Sequence, residues 1–306
     1  MRPEVLPGAE HVLEFHVVTQ GACWAGLVGE PAIRLEAGDV IAFPQGDAHV
    51  VSSAPGMRAT PDYVPLREAP RLPVLFKSLG GGSERAELIC GFLGCDARPF
   101  NPLFATLPRV LHARRGSGDG RIEQLVRLAL AESASPSPGG ECVLARLGEL
   151  LFVEAVRRHL AALPPQEVGW LAGLRDEGVG RALAALHHRP ARGWDLDALA
   201  REVGLSRSVL AERFMLFLGV PPMQYLARWR MQLAANLLST TALGLAAIAD
   251  RVGYGSEAAL SRAFKRWVGV APADWRRGRR GAGAVRAGPV GPGGERPEGA
   301  AVPPAQ

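Results

Sequence analysis

Cysteine is scarce: Cys23, Cys90, Cys95 and Cys142 are all that 306 residues contain. That is too few for the disulfide framework of a short secreted domain, so a reduced compartment is expected. Long apolar runs are lacking too. The stretch from Leu147 to Val156 is interrupted by Glu149 and Glu154 and followed by Arg157 and Arg158, whereas a membrane span needs about 20 apolar residues. The N-terminus carries Glu4, Glu10 and Glu14 where a secretory leader would be apolar. These absences point to a cytoplasmic protein with no membrane partner. With 47% hydrophobic and 21% charged residues the composition is that of a folding chain, and the length suits roughly two domains of about 100 to 200 residues each.

The net charge of +5 is unevenly placed. Residues 194–280 hold 13 Arg or Lys against 7 Asp or Glu, and the remainder is nearly balanced at 22 against 23. A basic segment beside a near-neutral one suits a nucleic-acid binder joined to another module, because phosphate contacts dominate such affinity. Arg-rich usage over a solvated surface is the plainer alternative.

From Val12 to Val51, β-prone runs alternate with Gly, Pro and Asp punctuation, which predicts an antiparallel sheet or small barrel. Ala86 to Leu93 is a further strand candidate. The period then lengthens: Arg121 to Glu132, and Cys142 to Leu163 with Val143, Leu147, Leu150, Leu151, Val156 and Leu160, repeat at helical spacing. Pro164 and Pro165 stop the second helix. Gly169 to His188 reads as helix again, and the tail 281–306 is so rich in Gly, Pro and Ala that it is expected to be disordered. The helix from Cys142 to Leu163 is more apolar than a lone helix can use. Packing on the barrel and packing on a twin in a homodimer both remain open.

An internal repeat occupies residues 196–276. Leu199, Ala200, Val203 and Gly204 recur as Ile248, Ala249, Val252 and Gly253, 49 positions later; Leu210, Phe214, Phe217, Gly219, Val220, Pro222 and Tyr225 recur as Leu260, Phe264, Trp267, Gly269, Val270, Pro272 and Trp275, 50 positions later. Each copy has the layout of a helix-turn-helix. A short helix carries a small residue for close approach, a glycine takes the turn, and Ser206 or Ser256 caps a second helix. One face of each second helix is apolar. The opposite faces carry Arg207, Ser208, Ala211 and Glu212, or Glu257, Ala258, Ser261 and Arg262. Met223 to Leu238 joins the copies as a rod of about 24 Å, compatible with two groove-reading helices about 34 Å apart.

Residues 194–277, with WDLDALAREVGLSRSVLAERF, PPMQYLARWRMQLAANLL and IADRVGYGSEAALSRAFKRWVGVAPADWR, resemble the DNA-binding domain of AraC/XylS-type transcriptional regulators. The resemblance implies double-stranded promoter DNA as partner, recognition helices Ser206 to Phe217 and Ser256 to Trp267, and base contacts at Ser208, Ala211, Glu212, Glu257, Ala258, Ser261 and Arg262. Arg207, Lys265 and Arg266 would serve the phosphates, as would Arg228 and Arg230, unless they are simply solvated charge. Arginine in mid-helix can pair bidentately with guanine, which favours Arg262 as a base reader. Activation through RNA polymerase is what the family favours.

Gly38, Pro44, Gly46 and His49 in GDVIAFPQGDAH match the spacing of the second cupin motif. Of the first motif's histidines only His16 has a counterpart. Two histidines alone are a poor metal site, so no metal, cofactor or catalytic residue is assigned, and His16 and His49 are read as pocket or core residues. Cys23, Cys90 and Cys95, with Trp24 beside the first, are either small apolar core residues or thiols that sense a reactive species, as some AraC-like regulators do.

The expectation is an α+β multidomain regulator. A β-rich cupin-like barrel at 1–110 would sense a small-molecule effector or oxidant; a helical linker and possible dimerisation region follows at 121–163; an all-α domain at 170–280 would bind DNA. The rivals are a metal-dependent cupin enzyme fused to a DNA-binding domain and an architectural DNA binder with no effector.

Overall fold

The strand His11–Gln20 (β1) is buried on both faces from Leu13 to Val18, and that pattern organises the N-terminal half. In a computed structural model, which describes residues 11–57, 74–79, 85–95, 99–116, 120–135, 137–164 and 166–284, β1 is the middle strand of an antiparallel five-stranded sheet. The order is β6 (Val74–Leu79), β7 (Ala86–Cys95), β1, β4 (Val40–Phe43) and β8 (Leu111–Ala113). A second antiparallel sheet places β2 (Ala22–Leu27) between β3 (Ile33–Glu36) and β5 (His49–Ser52). Strand side chains alternate between faces. Thus Leu13, Phe15 and Val17 point one way, and Glu14, His16 and Val18 the other. The second set faces a core shared with Cys23, Ala25, Leu27 and Leu35 of the smaller sheet. This is the β-rich cupin region expected from the sequence.

The first set is covered by helices. After α1 (Pro102–Thr106), α2 (Arg121–Ala134) and α3 (Gly140–Ala162) pack on the large sheet. Ile122, Ala129, Leu147, Leu151, Phe152 and Ala155 lie in one core with Leu13, Phe15 and Val17. The segment 121–163, expected as a linker, is therefore an integral layer of the N-terminal domain. Its apolar face is split, for Val143, Leu150 and Val153 remain exposed at 45%, 51% and 44%.

The C-terminal half is helical: α4 (Trp170–Arg175), α5 (Glu177–His188), α6 (Leu196–Val203), α7 (Arg207–Leu218), α8 (Pro222–Thr240), α9 (Leu245–Val252), α10 (Glu257–Val268) and α11 (Pro272–Ala284). The helix expected over 169–188 is broken at Asp176, whose carboxylate accepts from the Val179 amide at 2.9 Å and so starts a new helix. Of the tail expected to be disordered from residue 281, residues 281–284 continue α11; residues 285–306 lie outside the described residues.

Helix α8 is about 28 Å long at the usual rise, and it serves two cores. Tyr225 and Leu226 at its start pack with Leu199, Leu210 and Phe214; Met231, Ala234, Ala235 and Leu238 pack with Ile248, Leu260 and Phe264. The Trp170 indole donates to the Tyr225 hydroxyl at 3.0 Å, and His187 Nε2 faces the same oxygen at 2.8 Å. Burial, with the adjacent His188 second, lowers the His187 pKa to about 4.

Gly204 and Gly253 both hold left-handed φ, +69° and +83°, but a Cβ on Gly204 meets open space, whereas one on Gly253 falls 2.7 Å from Ala191 Cα and 2.8 Å from Ala191 O. Gly204→Ala should cost about 1–2 kcal/mol from backbone conformation alone, and Gly253→Ala should lower the melting temperature clearly further; equal losses would contradict the close approach. Folding favours neutral His187, so its contribution is whole above pH 6.5 and is lost as the pH falls toward 4. His187→Gln should flatten the loss of stability over that interval in urea titrations, and an unchanged slope would refute the assignment.

Candidate nucleic-acid interface and a buried polar cluster

The two second helices of the repeat, α7 and α10, begin alike. Ser206 Oγ accepts from the Val209 amide at 3.3 Å, and Ser256 Oγ accepts from the Ala259 amide at 3.1 Å. Each buries a Leu and a Phe completely, Leu210 and Phe214 in one and Leu260 and Phe264 in the other, which turns the opposite face outward. Ser208, Glu212, Glu257, Ala258 and Arg262 are exposed; Ala211 and Ser261 are half-buried on the same sides.

The outward faces differ chemically. On α10, Arg262, Lys265 and Arg266 are all exposed, giving a cationic surface. On α7, Arg207 is drawn to Asp197 at 3.1 Å, Glu212 is exposed, and so are Val209, Met215 and Leu216 at 36%, 49% and 60%. The apolar part of that face was not anticipated, although Met215 and Leu216 break the repeat's polar pattern. The structure also corrects one expected phosphate contact. Arg230 donates from Nε to the Pro190 carbonyl at 2.8 Å and from Nη2 to the Arg192 carbonyl at 2.9 Å, so it ties the 190–192 connector to α8. Arg228 lies over the Trp267 ring, 5.5 Å from its centroid.

The second site lies between the sheets. His16 sits opposite Cys90 in the β1–β7 register, and its Nδ1 is 3.0 Å from Cys90 Sγ. Its other nitrogen, Nε2, is 2.9 Å from His49 Nε2. Glu14 shares the face of His16 two residues earlier on β1, with Oε2 at 3.4 Å from His49 Nε2 and Oε1 at 3.7 Å from His16 Nε2. His49 arrives from the smaller sheet. Its ring stacks on Phe43 at 3.8 Å, and its Nδ1 faces the Asp47 carbonyl at 3.1 Å. Bidentate Arg109 holds the Asp47 carboxylate at 3.0 and 3.2 Å, which pins the loop before His49.

Of the expected sensing residues, His16, His49 and Cys90 are brought together. Cys23 is buried in the same core, but burial, with Asp39 second, pushes its thiol up to about 11, which opposes the lowered pKa expected of a sensing thiol. Trp24 follows Cys23 on β2 and is half-buried on the other face. Cys95 ends β7 opposite His11; its side chain lies outside the described residues. Glu14 was missed, because a single Glu in an otherwise apolar strand reads as solvent-facing until both faces are known to be covered. Its spacing from His16 was the available signal.

The donor set suits a metal ion where the sequence alone offered only two histidines: Glu14, His16 and His49 each turn one ligand atom inward, all within 4.8 Å of one another. Two imidazoles and one carboxylate form a donor set used by zinc and non-haem iron. The cavity beside them, lined by Val12, Phe43, Asp47 and Phe92, has a volume of about 10 Å³, room for about one water molecule.

Comparisons with known proteins bear on both halves. A family model described as cupin matches residues 2–161, and one described as helix-turn-helix domain matches residues 199–278. The chain is 34% identical over 280 residues to a Streptomyces lividans protein whose name describes it as an AraC-like transcription regulator, covering 88% of each. A Streptomyces antibioticus protein of the same description is 34% identical over 277 residues, again 88% of both. The HTH-type transcriptional regulator AlkR of Acinetobacter baylyi is 29% identical over 279 residues, 88% of this chain and 89% of that protein.

Proposed function

Because the chain belongs to the AraC-like family of DNA-binding transcription regulators, we propose that α7 and α10 read successive major-groove segments of a promoter while the barrel registers a small molecule or reactive species. The observation that carries the DNA half is the pair of serine-capped helices whose outward faces are unburied. Arg262 reads bases from α10, with Glu257, Ala258 and Ser261 beside it; Lys265 and Arg266 serve the phosphates. On α7 the contacts are Ser208, Ala211 and Glu212, and the exposed Val209, Met215 and Leu216 suit thymine methyl groups.

The sensing half is supported by the Glu14, His16, His49 and Cys90 cluster, a polar group inside an apolar core. An effector can alter promoter affinity only by favouring one arrangement of the chain over another. A physical route exists. The Phe100 amide, in the segment after β7, donates to Gln232 Oε1 at 2.9 Å, and the Phe100 ring meets Tyr225 edge-on at 5.5 Å; both partners lie on α8, which fixes both reading helices. We assign no catalytic step, because the relatives are named as transcription regulators. The protein acts in the cytoplasm, activates through RNA polymerase, and pairs as a homodimer through the exposed Val143, Leu150 and Val153 of α3.

Arg262→Ala should weaken binding to the specific operator by about 1–3 kcal/mol and to random DNA much less, measured at fixed salt; equal losses would reduce Arg262 to a phosphate contact. Replacing Leu150 and Val153 together by Glu should shift the particle mass in light scattering from dimer to monomer. A mass unaffected by the double replacement would sink the α3 interface.

A further inference from the structure

We propose that Glu212 selects a cytosine in the half-site under α7, and that α7 discriminates among bases while α10 supplies the electrostatic hold on the duplex. The proposal rests on the DNA reading above and names the base that one of its contacts takes.

The duplicated units carry opposite balances of charge. Residues 195–220 hold three basic against four acidic side chains, and the matching residues 245–270 hold four against two. Within the first unit the arginines are already engaged. Arg207 meets the Asp197 carboxylate at 3.1 Å and Arg213 meets Asp176 at 3.1 Å, while Arg201 Nε donates to the Asp197 carbonyl at 3.4 Å. Exposed pairs of this kind add little stability, but each sets a carboxylate beside a guanidinium and so cancels most of its pull on a distant phosphate. On α10 the cations Arg262, Lys265 and Arg266 are exposed, and among the described residues no ion pair holds Arg262 or Lys265.

Glu212 occupies the position, 50 residues earlier, that Arg262 fills in the second unit. Leu210 and Phe214, both fully buried, fix the rotation of α7. Glu212 lies two residues from each, about 200° around the helix, and is exposed. The outward centre of one reading helix is thus a carboxylate and that of the other a guanidinium. Their demands are opposite, since a guanidinium only donates and a carboxylate only accepts. In the major groove guanine offers two acceptors, thymine an acceptor and a methyl group, and adenine an acceptor beside its amine, whereas cytosine offers its N4 amine alone. Cytosine is the base that meets Glu212 without setting a lone pair against it. Ala211, half-buried on the same side, has no polar group to compete for that edge.

The same charge acts against every other sequence. A carboxylate brought into the groove loses water and faces phosphates, a cost offset only where an amine meets it. Specificity can come from penalties on wrong partners as well as from contacts to the right one, so Glu212 lowers affinity for DNA in general and spares the site that carries its cytosine.

The test selects duplexes from a random-sequence pool with the full chain, then measures binding at fixed salt to the selected duplex and its single-base-pair variants. The expected consensus has a guanine that depends on Arg262 and, about one helical turn away, a cytosine that depends on Glu212. Replacing that cytosine by any other base should weaken wild-type binding about 10- to 100-fold. Glu212→Gln, whose amide both donates and accepts, should move the preference at this one position to adenine. Glu212→Ala should level it and bind random duplex DNA more tightly than wild type; circular dichroism checks the fold of both variants. Lys265→Ala should reduce the slope of log affinity against log salt by about 0.9, and Arg207→Ala should leave the slope unchanged. A consensus without that cytosine, or a cytosine preference that survives in folded Glu212→Ala, overturns the assignment and leaves the operator reading in place. A wild-type chain that recovers no consensus removes the operator reading and the assignment with it. Equal loss of slope in Lys265→Ala and Arg207→Ala overturns the division between the two helices.

Discussion

One helix holds the C-terminal half in register. Helix α8 gives its first turns to the core around Phe214 and its later turns to the core around Phe264, so neither unit can rotate about the helix without unpacking its own core from it. Native interiors are packed too densely for such a shared element to flex cheaply. The distance and angle between the two reading helices are therefore a property of a single hydrogen-bonded rod. Arg230 adds to this by closing carbonyls of the connector onto the same helix, and Arg276 does so at the far end, donating to the Leu238 and Leu243 carbonyls at 3.2 and 2.6 Å.

The repeat was legible in the sequence because its markers are steric. Glycine at the turn, serine at the cap and Leu and Phe on one helical face recur at fixed offsets, and each has a local physical reason. Local reasons do not reveal what covers an element from outside. The helices at 121–163 read as a linker whose apolar face could pack on the barrel or on a twin, because nothing local says that Leu13, Phe15 and Val17 await them on the sheet. Arg230 read as a DNA contact because its carbonyl partners lie 40 and 38 residues away. The Asp176 break was visible as a helix-capping residue type, yet the surrounding periodicity masked it.

Glu14 is the instructive miss in the buried polar cluster. A strand packed on one side alternates polar and apolar, and a strand packed on both sides should be apolar throughout; β1 is of the second kind except for Glu14 and His16. Departures from local consistency tend to mark function. The same strand faces the helical layer with its odd residues and the polar cluster with its even ones, so the cluster and the helices that contact the rest of the chain share one backbone.

The unequal chemistry of α7 and α10 gives the molecule a direction. On the proposed docking, a duplex laid along both helices would meet Glu212 with the exposed Val209, Met215 and Leu216 at one end, and Arg262, Lys265 and Arg266 at the other. Turning the duplex end for end would exchange those neighbours, so a recognition element suited to one chain would be non-palindromic and its orientation would decide on which flank the barrel is carried.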